Sequence, residues 1–130
     1  MPQTKVTESS VLPALLAVCP SFQQRWDEYV SDEAYIPNQV YVDAGEFARH
    51  LLALLQAGTV SEFSAVFATV EHLLEEGDEE ACNAVTTGLL EDHYFAAEDA
   101  SISPRKWRKY FGPRATSAWE AYLVWAKKSD

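Results

Sequence analysis

The sequence predicts an all-α fold. It should form one domain, 1–130, built as a compact bundle of six or seven mostly antiparallel helices, with a short extended connector near residues 34–42. Three observations carry this expectation. Apolar residues recur at three- and four-residue spacing through the centre of the chain. Asp43-x-x-Glu46 and Thr59-x-x-Glu62 have the spacing of capping boxes, and Gly58 and Gly77 stand where helices should stop. With 130 residues, 48% of them hydrophobic, the chain can bury roughly two thirds of its unfolded surface without a disulfide or metal staple.

The elements follow in order. A first helix is expected over 10–18, with Val11, Leu12, Leu15 and Leu16 as its apolar stripe and Pro13 tolerated near the first turn. Cys19-Pro20-Ser21 breaks it, and Pro20 opens a second helix on which Phe22, Trp26, Tyr29 and Val30 share a face. The stretch AYIPNQVYV, rich in aromatic and β-branched residues around Pro37-Asn38, reads as an extended connector. Its Tyr and Val side chains should pack over the bundle. A central helix lies between Asp43 and Gly58, because Phe47, Ala48, Leu51, Leu52, Leu54 and Leu55 cover most of its circumference. The next helix carries Phe63, Val66, Phe67, Val70, Leu73 and Leu74 at helical spacing. Asp78 should cap the one after it, with Glu79 and Glu80 at its positive end. There Ala81, Ala84, Val85, Gly88 and Leu89 make a stripe of mostly small residues that lets a neighbour approach closely. Pro104 opens a short basic helix and Pro113 the last one, with Trp119, Tyr122, Leu123 and Ala126 inward.

Charge bounds the function. The net charge is −10, and it is uneven: residues 1–104 sum to −15 and residues 105–130 to +5. Such a body repels phosphate backbones and anionic membranes and attracts basic surfaces. Nucleic acid and membrane are therefore not expected as partners. The N-terminal stretch makes a poor signal peptide, and no run approaches a membrane span. With Cys19 and Cys82 far apart, the expectation is a cytoplasmic protein with free thiols.

Catalytic signals are weak. His50, His72 and His93 lack the spacing of a di-iron bundle, and no nucleophile, phosphate-loop or zinc motif occurs. No catalytic residue, metal or cofactor is assigned. The basic aromatic segment 105–111 has the composition of a nucleic-acid or membrane contact. Its charge is better used inside the molecule, docking on the acidic body with Trp107 and Phe111 at the core edge. The acidic excess itself suggests a face for a cationic protein.

Over about residues 40–95 the chain resembles small acidic helical bacterial proteins that act as immunity proteins beside polymorphic toxins. The resemblance is carried by Glu71, Leu73, Leu74, Gly77 and Asp78, then by Gly88, Leu89, Leu90 and Glu91, with Phe47-Ala48-Arg49 before them. It implies an immunity protein that binds a cognate toxin and blocks its active site or substrate entry, and it supplies no catalytic residues. The candidate partner-binding residues are Glu75, Glu76, Asp78, Glu79, Glu80, Glu91, Asp92, Tyr94, Glu98 and Asp99. The expected partner is a toxin with a basic surface. If the acids only solubilise the bundle, the contact should lie on the aromatic surfaces around Tyr35, Tyr41, Tyr94 and Trp107. An adaptor or regulatory binding module is the alternative, and a small helical enzyme the third reading.

Overall fold

The computed structural model describes residues 6–91 and 105–126. Among them there is no strand, only an isolated parallel bridge between Val6 and Gly77. A 3-10 turn, Glu8–Ser10, leads into α1, Val11–Val18. A second 3-10 turn, Pro20–Phe22, leads into α2, Gln23–Ser31. Then come α3, Val40–Ala57, and α4, Phe63–Glu76. The short α5, Glu79–Asn83, continues as a π-helix over Ala84–Glu91. Two further helices are α6, Arg105–Arg108, and α7, Pro113–Ala126.

The periodic stripes meet in one core. Trp119, Phe22, Phe47, Phe63 and Phe67 are its largest fully buried side chains. Removing each from water is worth about 1.5–3 kcal/mol. Phe63, Val66, Phe67, Val70 and Leu73 of α4 are all buried, as their spacing requires. Packing does not follow chain order. The main neighbour of α3 is the π-helix, whereas α4 packs against α1 and α7. Gly88 explains the first contact: a Cβ there would lie 3.1 Å from Ala44 Cβ and 3.1 Å from Tyr41 Cα. The small-residue stripe thus does bring two helices close together.

Three local expectations need correction. The extended connector is shorter than 34–42, because Val40, Tyr41 and Val42 are already helical. Asn38, in the left-handed region at φ 65, turns the chain after Pro37. The Asp43 amide then donates to the Gln39 carbonyl at 3.0 Å, which closes the first helical turn. Asp43-x-x-Glu46 is therefore inside α3 and caps nothing. Thr59-x-x-Glu62 does not cap either: Glu62 stands at the start of α4, but its carboxylate reaches back to Ser21 instead. Asp78 does cap, with Oδ1 accepting from the Ala81 amide at 2.8 Å.

Gly58 ends α3 in the left-handed region at φ 74, where its amide meets the Leu54 and Leu55 carbonyls. Nothing lies within 4 Å of where its Cβ would be. Gly58→Ala should thus cost only the conformational penalty, about 1 kcal/mol. A urea midpoint lowered with unchanged slope checks this; an unchanged midpoint contradicts it.

Candidate functional site

The acidic residues expected to bind a partner fall into two groups. Glu75, Glu76, Asp78, Glu79 and Glu80 flank the Gly77 turn between α4 and α5. Part of this group serves the fold. The Glu75 carboxylate pairs with Arg114 at 3.7 Å, the Glu76 carbonyl accepts from the Val6 amide at 2.9 Å, and Asp78 caps α5. Glu79 and Glu80 are exposed. Glu91 is half-buried at the far end of the π-helix, on the order of 15 Å away along the helix axis. Asp92, Tyr94, Glu98 and Asp99 lie outside the described residues.

The basic segment does turn inward with its aromatics. Tyr110 packs edge-on to Phe63 at 4.9 Å, and Phe111 lies 5.4 Å from Phe67 and 5.3 Å from Trp119. Of its charges, Arg108 pairs with Glu120 of α7 at 3.2 Å. The side chain of Trp107 lies outside what is described. Beyond this segment, Glu71 holds the start of α7, its two oxygens accepting from the Arg114 and Ala115 amides at 3.0 and 2.7 Å.

A polar cluster joins three helices. Ser21 Oγ lies 2.5 Å from Glu62 Oε1 and 3.0 Å from His50 Nε2, and the Ser21 amide donates to Glu62 Oε2 at 3.1 Å. Cys19 donates its thiol proton to the same carboxylate at 3.6 Å. Burial pushes this thiol up to about 11, which makes it a poor nucleophile. The residue types are those of a hydrolase triad, but the order differs. In a triad the acid orients the histidine, and the histidine takes the serine proton. Here the carboxylate itself accepts the serine proton, so His50 must donate through Nε2 to Ser21 Oγ. The cluster works as a latch between the α1–α2 junction and α4. His72 is exposed, and His93 lies outside the described residues. Cys82, half-buried, directs its thiol at the Leu74 and Gly77 carbonyls at 3.5 and 3.6 Å. Both cysteines are free, and among the described residues no three His, Cys, Asp or Glu side chains group to hold a metal.

A larger concavity lies elsewhere, between α2, the connector and α3. It is an open groove of about 590 Å³ lined by Arg25, Tyr29, Tyr35, Ile36, Val42 and Glu46 among others. Its lining leaves large apolar side chains in water: Ile36 is 60% exposed and Val42 51%. Arg25 and Arg49 both bind Glu46, at 2.5 and 3.3 Å. Burial opposes ionisation of Glu46, but the Arg25 guanidinium, then Arg49, outweighs it and holds the carboxyl below the usual range. Trp26, Tyr29 and Tyr35 pack edge-on and tilted into one aromatic block at the groove wall. Tyr29 and Tyr35 donate their hydroxyls to the buried carboxylate of Asp43, at 2.8 and 3.3 Å. The aromatic residues of the connector gave the one sequence signal for this face. Arg25 gave none, since its partner is tertiary, and Asp43 and Glu46 read only as capping residues.

Fold and site together describe a small helical domain with an open, aromatic-walled groove. The chain belongs to the DUF7674 family, a domain of unknown function, whose model matches residues 12–126. No curated protein and no solved structure matches it. No helix among the described residues is long and apolar enough to cross a membrane.

Proposed function

We propose that this domain is an immunity protein that binds a basic toxin domain through the α2–α3 face and neutralises it by occlusion. The exposed step of Ile36 and Val42 in the 590 Å³ groove carries the reading. Exposed apolar side chains grouped at a groove favour a protein partner. The net charge of −10 favours a basic one, and the resemblance over residues 40–95 supports toxin neutralisation. In this scheme the acids at the Gly77 turn act at long range. They raise the association rate, while the apolar step holds the complex and sets its lifetime.

The test is co-expression with the toxin encoded beside the gene. The wild-type chain should restore growth. Ile36→Asp with Val42→Asp should abolish protection without unfolding the domain, because both side chains already face water; truncating a central apolar anchor typically weakens binding about 30-fold. Changing Glu75, Glu76, Glu79 and Glu80 to Lys should slow association and make it less sensitive to salt. Protection undiminished by the double aspartate variant would overturn the assigned face. An adaptor would use the same surface on another partner and would leave the toxin active.

A further inference from the structure

On the other side of Tyr35 from the groove lies a smaller cavity of about 270 Å³. The Glu8–Ser10 turn, the start of α1, Trp26, the Pro37-Asn38 turn and the first turn of α3 enclose it. We propose that this cavity is a binding site for an ammonium group, held by the Asp43 carboxylate between the rings of Trp26 and Tyr35.

Four observations lead there. First, Asp43 is only 6% exposed, yet among the described residues no Lys, Arg or His pairs with it. A buried carboxylate is costly unless compensated. Second, its two hydrogen bonds come from neutral tyrosine hydroxyls, one to each oxygen. Neither hydroxyl brings a positive charge, so the charge of the carboxylate remains uncompensated. Third, Trp26 and Tyr35 stand nearly perpendicular, at 78° with centroids 6.4 Å apart. They form an aromatic corner, and a cation over such rings is attracted by their quadrupoles, most strongly by Trp. Fourth, Glu8 at the wall of the cavity adds a second carboxylate. Burial pushes the Asp43 carboxyl above its usual range and the two tyrosine hydroxyls only partly offset this, which is the imbalance a bound cation would relieve.

Size and shape narrow the ligand. The volume suits a headgroup and falls below the roughly 300–1,000 Å³ of sites for drug-sized molecules. Among the described residues no three His, Cys, Asp or Glu side chains group there to hold a metal. The ammonium has two possible sources, a free quaternary amine or the lysine side chain of a protein. The site does not depend on the immunity reading, since either source satisfies it.

The experiment uses the full chain labelled with nitrogen-15 and follows the Trp26 indole resonance. The probes are choline, its uncharged carbon isostere dimethylbutanol, and the methylamide of Nα-acetyl-lysine. The proposal expects a saturable shift with an ammonium probe and none with dimethylbutanol. Asp43→Asn should weaken binding about tenfold or more, as the loss of an ion pair requires. Tighter binding of choline identifies a free quaternary amine, and tighter binding of the lysine derivative identifies a protein side chain. An equal shift with dimethylbutanol, unchanged affinity in Asp43→Asn, or no saturable shift with either ammonium overturns the site. The comparison of choline with its isostere is made on the wild-type chain, so it holds even if the variant fails to fold.

Discussion

Gly88→Leu should lower the melting temperature by roughly 6–10 °C. A leucine there meets Ala44 Cβ, Tyr41 Cα and the Tyr41 carbonyl, each within 3.1–3.2 Å of where its Cβ would sit. Two of these three atoms are backbone, so no rotamer change makes room. Overpacking of this kind costs about 3 kcal/mol, against about 1 kcal/mol gained by replacing a helical glycine. The π-helix and the start of α3 must separate. Tyr41 and Val42 then move with α3, so the variant should also bind the partner less well than its stability loss alone accounts for. Gly88→Ala, whose Cβ alone would be crowded at 3.1–3.2 Å, should fall between wild type and leucine. A melting temperature unchanged by leucine would mean that α3 and the π-helix do not meet there.

The second large effect is expected at the latch. Glu62→Ala removes the acceptor for the Ser21 hydroxyl, the Ser21 amide and the Cys19 thiol together. Hydrogen bonds to a charged group are the stronger kind, and the loss should be about 2 kcal/mol for this half-buried carboxylate. Burial raises the Glu62 carboxyl, but the Ser21 hydroxyl and amide outweigh it and leave it below the usual range. A folded pKa below the unfolded one gives stability that is complete above the unfolded value. That stability is lost as pH falls through the folded value. The wild-type chain should therefore lose stability as pH drops below about 4.3, the ordinary glutamate value, and Glu62→Ala should flatten that limb. His50, held low by burial and then by Arg25, acts in the same direction at higher pH, since the unfolded imidazole takes up protons first. Equal acid sensitivity in wild type and variant would show that the latch contributes nothing to stability.

The latch also shows how far the sequence could be read. Repeating local signals were legible. The α4 stripe is buried at each position from Phe63 to Leu73, Gly58 takes the left-handed conformation, and Asp78 caps α5. Capping spacing misled at Asp43 and Glu62 because the same three-residue offset occurs inside any helix. There the carboxylates found stronger partners across the fold: Tyr29 and Tyr35 for Asp43, Ser21 for Glu62. The Ser21 partner is 41 residues away in sequence. The groove was hardly legible for the same reason. Its walls come from α2, the connector and α3, and of the aromatic residues expected to mark a contact surface only Tyr35 lines it. The switch from α5 to a π-helix at Ala84 has no signature in AVTTGLLE that separates it from an ordinary helix.

The proposed function turns on stoichiometric occlusion through the α2–α3 face, and titration calorimetry of the purified toxin domain into the purified chain measures it directly. Occlusion requires saturation at one toxin per chain, loss of toxin activity in step with binding, and about 30-fold weaker binding for Ile36→Asp with Val42→Asp. Inactivation of excess toxin by a small fraction of the chain, or unchanged affinity in the double variant, would contradict it.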